Sequence, residues 1–208
     1  MELSELTVRS FSNLLGSDAP APGGGSAAAL AGSLGAALSA MVSALTLGRK
    51  KYAEYQDLAR EGFEEASGLK EAFLEAMERD TEAFNGFSAA MALPRETPED
   101  KAARSDAMQK ALAECIESPL QMMELSLRAI RLTEKLLGKT NANALSDLGV
   151  SALMLEAAVR GAWLNVLINL GSLKDEAAAA AFRARGEELL NDTQVLAGSI
   201  YTRVLQAL

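Results

Sequence analysis

With no histidine and a single cysteine, Cys115, in 208 residues, any chemistry here must be carried by carboxylates, amines, hydroxyls and amides. Structural zinc sites, the usual catalytic zinc sites, Ser-His-Asp triads and Cys-His pairs are all excluded on composition. Cys115 falls in a stretch that reads as helix, where a lone thiol is a small buried hydrophobe more often than a nucleophile. Two aspartates stand in helical patterns that bear on this. Asp80 sits in Arg79-Asp80-Thr81-Glu82-Ala83-Phe84-Asn85, one helical turn from both Met77 and Phe84. At that spacing it can point toward the core side, where an unpaired carboxylate is costly, which suggests a role. The competing reading is partial exposure with Arg79 or Arg104 as its partner. Asp147 follows Asn143 by four residues, on one face of a helix, with Ser146 beside them at i+3.

The segment Ala19-Pro20-Ala21-Pro22-Gly23-Gly24-Gly25-Ser26 leads directly into an apolar helix. Three successive glycines cost backbone entropy, so they point to unusual backbone angles or to something approaching closely. The free N–H groups behind them suit a carboxylate, phosphate or carbonyl. A tight turn capped by Ser26 explains the same residues equally well. The loop lacks the Gly-Lys-Ser/Thr ending of a phosphate loop and is not a Gly-x-Gly-x-x-Gly turn, so nucleotide binding is not indicated. Arg49-Lys50-Lys51-Tyr52 reads either as a solvated helix end or as a clamp for an anionic tail. Asn165 and Asn169 recur at i,i+4 in a very apolar helix, where amides need partners, either interhelical or from a substrate. Glu156 and Arg160 read as a helix salt bridge.

Positioning these groups falls to helices, because no alternating run of strand type occurs between the sparse Gly and Pro breaks. The pattern predicts an all-α, antiparallel bundle of about six helices, several of them long, as a single domain over residues 1–208. A first helix capped by Thr7 ends at Gly16. The others are expected at about 26–47, 52–93, from Thr97 to 137 with a kink at Pro119, 144–170, and from Lys174 to the C-terminus. The third helix is expected to anchor through Leu58, Phe63, Leu69, Phe73, Met77, Phe84 and Phe87. Residues 19–48 carry no charge, but an Ala/Gly/Ser-rich composition favours a closely packed buried helix, with small pairs such as Gly32 and Ala36, over a membrane span. A net charge of −8 argues against nucleic acid as a partner. The start of the chain shows no secretory signal pattern, so the expected location is cytoplasmic. Apolar residues at 49% exceed what one small bundle needs and point to a dimer.

Taken in order, several elements resemble one family: Pro22-Gly23-Gly24-Gly25-Ser26 opening an Ala-rich helix, Lys51-Tyr52 after it, Asp80-x-x-Ala83-Phe84, and Asn143-x-x-Ser146-Asp147-x-Gly149-Val150. With Asn165-Val166-x-Ile168-Asn169-Leu170 they look like the formiminotetrahydrofolate cyclodeaminase and methenyltetrahydrofolate cyclohydrolase family, over nearly the whole chain. The resemblance implies an all-helical homodimer acting on a one-carbon tetrahydrofolate, with neither a metal nor a resident cofactor. It implies Asp80 and Asp147 as catalytic candidates, and Gly23, Gly24, Gly25 and Ser26 lining the folate site. Lys50 and Lys51 would hold the glutamate tail, Tyr52 or Phe84 would pack on a ring, and Asn143, Ser146 and Asn165 would make polar contacts. One departure is Arg49, where the family pattern has Lys. The likeness is to the cyclodeaminase half alone, which tilts the expected reaction toward the cyclohydrolase. The competing class is a non-catalytic folate-binding or scaffolding helical dimer, distinguished by whether loss of Asp80 abolishes turnover in folded protein.

Overall fold

Runs of small and aliphatic residues between the Gly and Pro breaks form six α-helices. These are α1 Val8–Leu15, α2 Gly24–Ala44, α3 Gln56–Met91, α4 Pro98–Leu136, α5 Leu145–Leu170 and α6 Glu176–Ala207. The computed structural model describes residues 2–208, and no strand occurs among them. Three short 3-10 turns, Leu3–Glu5, Lys50–Tyr55 and Ala142–Ala144, complete the regular structure. The start of α4 follows from its sequence: Thr97 Oγ1 accepts from the Asp100 N–H at 3.0 Å while the Asp100 carboxylate accepts from the Thr97 N–H at 3.1 Å. Pro98 fills the first helical position behind this capping box. The helix continues through Pro119, and Gly138, at φ +77°, ends it as expected.

The uncharged helix α2 is the centre of the bundle, packed on α3, α5 and α4. By length and composition, Gly24–Ala44 and Ala142–Leu170 are both apolar enough to cross a bilayer. In this fold α2 instead buries small residues against neighbouring helices, as its composition predicts. A Cβ on Gly32 would occupy the space taken by the ring of fully buried Phe73, so only glycine lets α2 and α3 approach this closely. Contacts of Gly25 with Asp80 and of Gly62 with Ser43 set α2 and α3 antiparallel. Gly35 against Leu155, with Gly24 near Asn165, does the same for α2 and α5. Where three helices meet, Ser39 Oγ lies 2.9 Å from Thr133 Oγ1 and 3.0 Å from Ser151 Oγ. Ser151 also donates to the Gly35 carbonyl at 2.8 Å, so each of these buried hydroxyls is partnered.

Five boundaries differ from the sequence reading, two of them because α2 stops at Ala44 and α3 at Met91, short of the expected 47 and 93. Helix α2 begins at Gly24 with Gly23 as its cap, so Ser26 lies inside the helix rather than capping it. Helix α3 begins at Gln56, because Tyr52 leaves helical geometry at φ −117° and ψ 32° and its hydroxyl accepts from the Ala142 N–H at 2.9 Å. Helix α6 begins at Glu176, since Asp175 caps it by accepting from the Ala178 N–H at 2.9 Å. Of the expected anchors on α3, Phe73, Leu69 and Met77 are buried, whereas Phe63 and Phe84 are exposed.

Candidate active site

Asp80 reaches from the middle of α3 to the first turn of α2. Its Oδ2 accepts from Ser26 Oγ at 3.4 Å. A Cβ on Gly25 would land on the carboxylate itself, so glycine at this position is a steric requirement of the Asp80 placement. Burial pushes the Asp80 carboxyl above the usual carboxylate value, while the hydroxyl and N–H of Ser26 pull it partly back. The positive end of α2 favours the charged form in the same way. Neither expected arginine pairs with it: Arg79 turns to Glu75 and Arg104 donates to the Met91 carbonyl. The result is a half-buried carboxylate at a helix N-terminus with no cationic partner among the described residues, an arrangement suited to acid/base work or to facing a substrate cation.

This carboxylate opens into a cavity of about 320 Å³ bounded by the Pro20–Gly25 loop, Phe84 and Phe87 of α3, Cys115 of α4, and Asn165 and Asn169 of α5. A wider groove of about 470 Å³ between the far ends of α3 and α4 is mainly apolar. Its charged groups, Glu82, Lys110 and Glu114, are exposed, whereas the Asp80 cavity holds a half-buried carboxylate. Cys115 donates its S–H to the Ala83 carbonyl at 3.3 Å. Burial first, then the charges of Asp80 and Glu114, push its thiol up to about 11. It remains a thiol at neutral pH, and thus a poor nucleophile. Among the described residues, no group of three or more His, Cys, Asp or Glu side chains comes together in metal-binding geometry.

The family model for formiminotransferase-cyclodeaminase matches residues 7–188. The methenyltetrahydrofolate cyclohydrolase of Methylorubrum extorquens is 39% identical over 198 residues, covering 95% of this chain and 95% of that protein. The chain belongs to the formiminotransferase-cyclodeaminase family. The formimidoyltransferase-cyclodeaminase of Sus scrofa is 34% identical over 197 residues, but this chain spans 36% of its length. The fold matches the crystal structure of formiminotetrahydrofolate cyclodeaminase from Thermotoga maritima with a TM-score of 0.82 at 25% identity, covering 100% of this chain and 98% of that one.

Within this family fold the residues singled out from sequence divide into two groups. Gly23, Gly24, Gly25, Asp80, Phe84 and Asn165 line one cavity, and Ser26 supports Asp80 from behind. Lys50, Lys51, Tyr52, Asn143, Ser146 and Asp147 lie at the other end of α2, roughly 30 Å away given 1.5 Å per residue along that helix. A single chain therefore does not bring Asp147 to Asp80. Tyr52 is buried, with its hydroxyl held on the Ala142 N–H, so it latches two loops instead of offering a stacking face. Lys51 Nζ lies 5.5 Å from the centroid of its ring. Lys50, Asn143 and Ser146 are exposed and Asp147 is half-buried.

Sequence reasoning passed over Thr81, Phe87, Cys115 and Ile168 as cavity residues and left open whether Asn169 faces a neighbouring helix or a substrate. The spacing of Asn165 and Asn169 carried the only available signal for the last of these. Cys115, read as a small buried hydrophobe, is half-buried at the cavity wall, and only the tertiary packing of α4 beside α3 places it there.

Proposed function

We propose that this protein hydrolyses the cyclic amidinium of 5,10-methenyltetrahydrofolate to 10-formyltetrahydrofolate. The observation carrying this reading is the Asp80 carboxylate, held on the α2 N-terminus at the wall of a cavity of small-molecule size. Water adds to the carbon between N5 and N10 while Asp80 takes one of its protons. The cation is thereby neutralised, and the carboxylate opposite it stabilises the approach. Asp80 then returns its proton to N5 as the carbon–N5 bond breaks. The proton left on the new hydroxyl goes to solvent as the formyl group forms on N10. The overall change is one water consumed and one proton released. The raised carboxyl of Asp80 brings its proton affinity closer to neutral pH, where such a shuttle works best.

The division of candidate residues supports a homodimer as the active form. The outer face of α2 and α5 exposes Leu34, Met41, Leu45, Val150, Leu153, Leu164 and Ile168, with Leu164 at 67% and Ile168 at 76% accessible. Large apolar side chains exposed along two adjacent helices call for cover. Because α2 and α5 are antiparallel, a second copy related by a two-fold axis through the middle of this face lays its Lys50 and Asp147 end beside the first copy's Asp80 cavity. Each site then draws Asp80 from one copy and the Lys50, Lys51, Asn143, Ser146 and Asp147 cluster from the other. Lysines there suit an anionic glutamate tail.

The test is loss of the near-ultraviolet band of 5,10-methenyltetrahydrofolate on adding protein, faster than in buffer. Appearance of that band from 5-formiminotetrahydrofolate, with ammonia released, is the signature of the cyclodeaminase, the second reading, favoured by the Thermotoga maritima fold match. Mixing Asp80→Asn protein with a Lys50→Ala/Lys51→Ala variant tests the shared site. Random exchange of inactive copies restores about a quarter of wild-type activity if each site uses both chains. No recovery on verified exchange refutes the two-chain site.

A further inference from the structure

The Asn169 side chain is fixed more tightly than a surface amide requires. Its Nδ2 donates to the Asn165 carbonyl one turn back at 2.9 Å and to the Cys115 carbonyl on α4 at 3.2 Å. Both N–H hydrogens are thereby committed, and a flipped amide would set Oδ1 against two carbonyl oxygens. The direction of Oδ1 is therefore set by the fold. Nothing among the described residues donates to it, and it is not one of the buried side-chain atoms left without a partner. Asn169 lines the Asp80 cavity.

The other polar side chains of that cavity follow the same pattern. Thr81 donates its hydroxyl to the Met77 carbonyl at 3.3 Å and Cys115 its thiol to the Ala83 carbonyl at 3.3 Å. Asn165 Nδ2 donates to the Gly161 carbonyl at 2.8 Å, leaving it one free N–H. What α3 and α5 present across the cavity is thus chiefly acceptor oxygen: the Asp80 carboxylate on one wall and Asn169 Oδ1 on the other. A ligand complementary to such walls brings positive charge to the first and N–H donors to the second.

We propose that Asn169 is a specificity-determining residue whose Oδ1 accepts from the amino and ring N–H edge of a reduced pterin, anchoring the head group at the α5 wall of the Asp80 cavity. This rests on the folate reading above and adds the wall on which the head group lies. Asn169 then acts in binding, so its loss raises KM while leaving kcat nearly unchanged.

The experiment compares 5,10-methenyltetrahydrofolate with an analogue in which the pterin 2-amino group is replaced by methyl, in wild type and in Asn169→Ala. Asn169→Ser, whose hydroxyl bonds back to the Asn165 carbonyl, serves if the alanine variant does not fold. The wild type is expected to favour the amino form by about tenfold or more in kcat/KM. The variants are expected to bring that preference to within about threefold, with kcat of the amino form held within the same factor. Equal use of both ligands by wild type, or full discrimination by a folded variant, overturns the assignment of Asn169. Failure of wild type to turn over either 5,10-methenyltetrahydrofolate or 5-formiminotetrahydrofolate instead overturns the folate reading itself.

Discussion

Replacing Gly25 by alanine adds one methyl group at the point where α2 meets Asp80. The new Cβ would overlap both carboxylate oxygens and Cγ of Asp80, so the side chain or the helix must yield. Restoring ordinary contact displaces the carboxylate by about 1 Å, and a misplacement of that size in a reacting group costs on the order of 10²-fold in rate. Stability changes less. Overpacking costs about 1–3 kcal/mol, partly offset because alanine exceeds glycine in helix propensity by about 1 kcal/mol. The expected result is a folded protein melting a few degrees lower, with kcat/KM for 5,10-methenyltetrahydrofolate reduced about a hundredfold. Gly68→Ala is the matched control. It makes the same change in the interior of α3, where a Cβ meets nothing within 4 Å. It is expected to keep full activity and gain about 0.5–1 kcal/mol. Absorbance kinetics and thermal melting read both quantities. A folded Gly25→Ala protein with activity within about threefold of wild type would show that the Asp80 placement does not matter, and the proposed mechanism would fall with it.

Asp80→Asn should reduce turnover by about 10²–10⁴-fold while making the fold more stable at neutral pH. Because burial raises the carboxyl in the folded state, the unfolded chain loses this proton first as pH rises. The wild type therefore loses stability between the ordinary value of 3.8 and the raised folded value, and the penalty persists above. The melting advantage of the variant should shrink as pH falls toward 3.8, and a constant advantage across pH would contradict the burial argument. Wild-type kcat/KM should fall on acidification with a midpoint above the usual carboxylate range, in step with protonation of Asp80. Leu153→Glu combined with Leu164→Glu should give a monomer by light scattering and remove activity, whereas a dimeric double variant would place the interface elsewhere. Gly186→Ala drives a Cβ into the Trp163 ring between α6 and α5, with an expected cost of about 1–3 kcal/mol in denaturant melts and kcat unchanged.

Helix number, most helix ends and the uncharged central helix were legible in the sequence because each depends on local chemistry. Thr97-Pro98-Glu99-Asp100 specifies a capping box wherever it occurs, and Gly138 ends a helix because it accepts positive φ. The Asp80 side was legible for a related reason: a carboxylate one turn from Met77 and Phe84 can point toward the core side, and Asp80 reaches Ser26 on α2. Local pattern reaches no further. Ser26 looks like a cap in sequence, yet it lies one turn inside α2 with its hydroxyl on Asp80, because the partner is 54 residues away along the chain. Tyr52 looks like an exposed ring beside lysines, yet its hydroxyl is held by the Ala142 N–H, 90 residues on. Which candidate residues share a site is a question of helix direction, and tertiary packing alone decides it. Because α2 is about 30 Å long, with Asp80 at one end and Asp147 at the other, a single chain cannot join them. Residue types fixed the chemistry open to this protein, and the antiparallel packing of α2 between α3 and α5 decided which of those residues meet.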